Sequence, residues 1–104
     1  MTLPAVAETL GLDVVRVRQL LRDRQLVAVR RDGVLVVPAD LIHDGHVVKG
    51  LAGVLTLLAD ARYTDDEQVR WLLEPDDTLP GRPVDALREN RGTEVRRRAQ
   101  ALGF

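Results

Sequence analysis

Residues 1–42 change hydrophobic period once, from helical to alternating, and that succession restricts the chain more than any other feature. Leu3 to Leu10 places Val6, Ala7 and Leu10 on one helical face, with Pro4 in the first turn, where its missing N–H is not needed. Gly11 ends this helix, because glycine takes the left-handed conformation cheaply. Leu12 is expected to plug the turn, and Asp13 to cap a second helix running to about Arg24. On that helix Val14, Val17, Leu20 and Leu21 share a face, while Val15, Gln19 and Arg22 lie opposite with Arg16 and Arg18 flanking. From Leu26 the residues become β-branched. Leu26 to Val29 and Val34 to Val37 bracket Arg30-Arg31-Asp32-Gly33, and an Asp-Gly pair supplies the positive φ that a tight hairpin needs. Pro38 stops the second strand.

Helix, glycine turn, helix and short hairpin in that order make a winged helix-turn-helix. In this layout the second helix can enter a DNA major groove, where each base pair shows its own pattern of donors and acceptors. The first helix buttresses it, and the hairpin wing lies on the backbone or minor groove. The residues expected to touch DNA are Val15, Arg16, Arg18, Gln19 and Arg22 on the second helix, with Arg30 and Arg31 at the wing tip. Arginine can make a bidentate contact to guanine and glutamine to adenine, and valine can pack on a thymine methyl.

The remainder reads as helical. Ala39 to His43 is expected to form a short helical turn and His43-Asp44-Gly45-His46 a linker. Val47 to Tyr63 carries apolar residues on so much of its circumference that it must lie between partners. Thr64 to Glu67 is a capping box that starts the next helix, which ends before Pro75. Pro80-Gly81-Arg82-Pro83 is a turn, Pro83 opens a further helix through Asn90, Gly92 terminates it, and Thr93 caps a last helix to Leu102. The expected fold is therefore mainly α, with a winged helix in residues 1–42 and a helical extension in residues 43–104 that packs on it and offers a dimer or partner interface.

Net charge is −1, but its distribution is uneven. Residues 14–31 hold six arginines against Asp23, whereas residues 60–77 hold seven acids against Arg62 and Arg70. One surface is thus basic and another acidic, and a basic patch is the footprint of phosphate binding. The competing explanation is a solvated arginine face on a protein-interaction module. The two separate on whether these arginines pair with the acids of residues 60–77. Arg96-Arg97-Arg98 reads equally as a second DNA contact or as a complement to the dipole of the last helix.

The residue types argue against catalysis. Cysteine and serine are absent, so thiolate sites and the commonest hydroxyl nucleophile are excluded. No nucleophile sits beside a base, and no glycine-rich phosphate loop is present, so no enzyme and no cofactor are expected. His43 and His46 lack the companions a metal site needs. Asp76 and Asp77 read as turn and cap residues, and Trp71 as a core residue. With no signal peptide and no apolar run long enough to span a bilayer, a cytoplasmic protein is expected.

The stretch from Leu3 to Gly11, followed by Val17 to Asp23 and by Val37-Pro38, resembles the winged helix of MerR-type regulators and excisionases. The whole chain is similar to actinobacterial DNA-binding proteins that join such a winged helix to a C-terminal helical extension, most specifically over Trp71 to Gly92. That resemblance implies double-stranded DNA as the partner and transcription regulation as the role. It also implies a membrane Ser/Thr kinase acting on an N-terminal tail, although here Thr2 is the sole threonine ahead of the first helix. The C-terminal part further resembles the toxin-binding domain of Xre/MbcA/ParS-type antitoxins through Trp71, Leu72, Pro75, Leu79, Gly81, Pro83, Leu87, Gly92 and Val95. This second resemblance implies a toxin or other protein partner. The sequence leaves monomer and homodimer open.

Overall fold

The computed structural model describes residues 1–79 and 81–103. Pro80, placed in a turn by the sequence, lies outside the described residues. The elements run α1 (Leu3–Leu10), α2 (Val14–Arg22), β1 (Val29–Arg31), β2 (Val34–Val36), a 3-10 turn (Ala39–Leu41), β3 (Ile42–His43), β4 (His46–Val47), α3 (Leu51–Asp60), α4 (Asp65–Leu73), α5 (Pro83–Arg88) and α6 (Gly92–Ala101). The result is mainly helical with two small antiparallel ribbons, β1–β2 and β3–β4. A winged helix with a helical extension is the fold.

Local chemistry explains the N-terminal boundaries. The Thr2 hydroxyl accepts from the Ala5 N–H and caps α1, and Gly11 closes it at φ 69°. Asp13 caps α2 by accepting from the Arg16 N–H at 2.8 Å. In the wing, Arg31 pairs with Val34 across a two-residue turn in which Asp32 and Gly33 both take positive φ, 52° and 79°. That geometry matches the right-handed twist of the flanking strands. Met1 also joins the wing: its ammonium donates to the Val37 carbonyl and the Val37 N–H donates back to Met1, each at 2.7 Å.

Several expectations are corrected. Leu26, Val27 and Ala28 are not strand but a buried connection, so β1 begins only at Val29. The wing arginines therefore lie within a strand rather than in its turn. Leu12 is exposed instead of plugging the turn. The segment His43 to His46 is not a linker: Asp44-Gly45 form a second tight turn, and Ile42 pairs with Val47. That hairpin takes Val47, and Gly50 turns at φ 86°, so α3 starts at Leu51. At the far end Asn90 holds the left-handed position at φ 62°, which frees Gly92 to begin α6 instead of ending α5.

One continuous apolar cluster runs through both halves of the chain, from Leu3, Val6 and Val17 to Leu72, Leu87 and Val95. Leu51, Val54, Leu55 and Leu58 carry α3 into its middle, while Ala52, Gly53 and Thr56 face outward. The helix is thus buried along a stripe, against α4 and α6, rather than on most of its circumference. Trp71 is half-buried against this cluster. Leu72, Leu79, Pro83, Leu87 and Val95, which carry the resemblance to antitoxins, are all buried, so packing alone accounts for these residues. No described helix is long and apolar enough to cross a membrane.

Candidate nucleic-acid interface

Helix α2 presents the surface the sequence assigned to DNA. Val17 anchors it, fully buried, with Val14, Leu20 and Leu21 half-buried beside it. On the outer side Val15 is 70% exposed, and Arg16, Arg18, Gln19 and Arg22 are all exposed. An apolar side chain so accessible gains nothing from folding, which leaves it available to a partner surface.

Arg16 and Gln19 are not independent. The Arg16 Nη1 donates to the Gln19 Oε1 at 2.9 Å, one helical turn away. This leaves the glutamine amide hydrogens and the remaining guanidinium donors free to point outward as a joint donor array. Arg18 and Arg22 flank it on the same helix.

The wing arginines are both exposed but face differently. Arg30 pairs across the ribbon with Leu35 and Arg31 with Val34, and successive strand residues point to opposite faces. Arg31 stands next to the turn. Arg30 folds back, donating to the Gly33 carbonyl at 3.3 Å.

Three of the acids of residues 60–77 have local partners. Glu67 accepts from the Thr64 N–H at 2.9 Å, and this bond, with the Thr64 hydroxyl, holds its carboxyl below the usual range. Asp76 is lowered likewise, first by the Thr78 hydroxyl and then by the Thr78 N–H. Glu74 lies 3.8 Å from Arg70. Among the described residues, Arg16, Arg18, Arg22, Arg24, Arg30 and Arg31 form no ion pair. Among the described residues, then, no acid pairs directly with this basic face.

Two residues outside the expected set join this surface. Arg24 and Arg62 line one groove together with Arg22 and the wing residue Leu35. Arg62 could not be read from the sequence, because it sits in the most acidic stretch of the chain. The apolar period also places it inside a helix from Val47 to Tyr63, whereas α3 ends at Asp60 and leaves Arg62 in the turn that follows.

The other sequence candidates have local duties. His43 takes a hydrogen bond at Nδ1 from Arg88 at 2.9 Å and approaches Asp44 with Nε2 at 3.3 Å. No group of three or more His, Asp or Glu side chains suited to a metal comes together among the described residues. Arg98 donates to the Thr78 carbonyl at 2.8 Å, whereas Arg96 and Arg97 are exposed. The Thr2 hydroxyl is occupied as the α1 cap.

These features define a winged helix-turn-helix carrying a helical C-terminal segment. Comparison with known proteins gives the family. A family model described as the wHTH domain of the DNA-binding protein Rv2175c matches residues 1–42, and one described as the Rv2175c C-terminal domain of unknown function matches residues 48–103. The chain is 46% identical over 115 residues to the DNA-binding protein Rv2175c of Mycobacterium tuberculosis (strain ATCC 25618 / H37Rv), covering 98% of this chain and 79% of the relative. The NMR structure of Rv2175c superimposes with a TM-score of 0.90 at 46% identity, covering 99% of this chain and 80% of that one. The chain belongs to the Rv2175c family.

Proposed function

We propose that this protein binds double-stranded DNA and acts as a cytoplasmic transcriptional regulator. In this reading α2 lies in the major groove and the wing rests on the backbone or minor groove. The observation that carries it is the outer face of α2: Val15, Arg16, Arg18, Gln19 and Arg22 are exposed together, and the arginines are unpaired by any described acid. Membership of a family whose namesake is a DNA-binding protein supports the same reading. Val15 and the Arg16–Gln19 pair read bases, Arg18 and Arg22 flank them, and Arg30 and Arg31 touch phosphates or a narrow minor groove. The division into a DNA-reading part, residues 1–42, and a supporting helical part, residues 43–104, follows from this assignment.

Fluorescence anisotropy with duplex DNA across a salt series tests it. Each neutralised phosphate contributes about −0.9 to the slope of log affinity against log salt. A face engaging about five phosphates gives a slope of roughly −4 to −5. A flat response, or no binding at low salt, overturns the proposal.

A further inference from the structure

We propose that the C-terminal helical segment touches the DNA backbone itself, through Arg62, and that Arg62 and Arg24 hold phosphate at the seam between the two halves of the chain. The inference rests on the DNA reading above. It assigns a direct role to the segment that the first reading treats as support.

A groove of about 430 Å³ opens where the end of α2 and the wing meet the α3–α4 turn. Arg22, Arg24 and Leu35 line it from the winged helix, and Arg62 lines it from the other half. One carboxylate, Asp65, lines the same groove, so three cations face one anion. Of the two basic residues in the acidic stretch, Arg70 lies 3.8 Å from Glu74, whereas Arg62 is exposed and forms no ion pair among the described residues. The fold thus carries the single unpaired cation of the acidic segment to the arginine-rich side of the molecule.

The backbone at these two arginines is a second observation. Arg24 and Arg62 take φ 57° and 68°. Each closes a helix in the same way. After α2 the Arg24 N–H donates to Leu21 and the Gln25 N–H to Leu20; after α3 the Arg62 N–H donates to Ala59 and the Tyr63 N–H to Leu58. Glycine favours this left-handed closing position, and α1 uses Gly11 there. A long side chain at that position costs stability that glycine would not. Asn90 closes α5 in the same way, but the two positions that open on this groove are both arginine, which fits side chains held for what they bind rather than for the turn.

The test uses the full chain and duplex DNA. Arg62→Gly and Arg24→Gly are each expected to raise the melting temperature, because they relieve the left-handed position. Each is also expected to make the log–log salt slope shallower by about one unit. Arg62→Gln, which keeps the backbone strain, must give the same loss of slope, and Arg62→Lys must retain the slope. Binding that keeps the wild-type slope in Arg62→Gly and Arg62→Gln, while Arg31→Ala loses a unit, overturns this inference alone and leaves the DNA reading standing. Absence of salt-dependent binding by the wild type overturns both.

Discussion

Arg82, immediately before α5, reaches Asp40 at the end of the winged helix with Nη2 3.3 Å from Oδ1. The same guanidinium holds Asp85 through Nε and Nη2 at 3.0 Å each. One side chain thus bridges an acid of the winged helix and an acid of the C-terminal helices, 42 residues apart on one side. The hydrogen bonds to Arg82 keep the Asp85 carboxyl below the usual aspartate range, and those from Arg82 to Asp85 and Asp40 raise the guanidinium further above its ordinary value.

This bridge should make the protein acid-sensitive in a defined window. Arg82 stays charged, so the titrating partner is the carboxylate. A carboxyl lowered in the folded state stabilises fully above its unfolded value, near pH 4, and loses that contribution as pH falls towards the folded value. Arg82→Ala should cost about 1–2 kcal/mol at neutral pH, since all three side chains are partly solvated. Urea unfolding at pH 7 and pH 3 measures it. The gap between wild type and variant should narrow at the lower pH; a gap unchanged at pH 3 would mean that packing, not charge, supplies the tie.

Helix α3 should be a structural centre. Leu55 and Leu58 are 1% and 0% exposed, and both sit in the cluster that joins the two halves. Leu55→Ala or Leu58→Ala should each destabilise by about 2–5 kcal/mol, through lost transfer energy and the cavity left behind. Chemical denaturation gives the values directly. Unfolding curves unmoved by both substitutions would make this helix peripheral.

Helix and wing should divide specificity and affinity between them. Arg16→Ala and Gln19→Ala should each lower the preference for a cognate duplex by about 1–3 kcal/mol while sparing non-specific binding. Because Arg16 donates to Gln19, the double variant should lose less than the sum of the two. Arg31→Ala should weaken all duplexes alike and reduce the salt slope by about one unit. Affinities for cognate and scrambled DNA across a salt series decide the matter. A wing variant that loses only cognate binding, with helix variants that lose both equally, would reverse the assigned roles.

Much of the winged helix was legible because its signals are local. The Asp13 cap, the Gly11 stop, the Asp32-Gly33 turn and the Thr64–Glu67 capping box each act within four residues, so side-chain type and spacing suffice to place them. The exposed arginine and glutamine face of α2 followed from helical period alone, since its opposite face is aliphatic.

Tertiary structure decided what depends on distant partners. Asp44-Gly45 carries the same turn signal as Asp32-Gly33, yet its strands are two residues each and mean nothing until Val48 donates back to Leu41 and the core closes around them. Asn90, not Gly92, takes the left-handed position, and Gly92 opens α6. The sequence placed Arg62 among acids and Arg24 at the end of the second helix. Only the packing of α4 against β1, with α3 joined to α4, brings the two to one groove, since charge along a chain has no direction until the chain is folded.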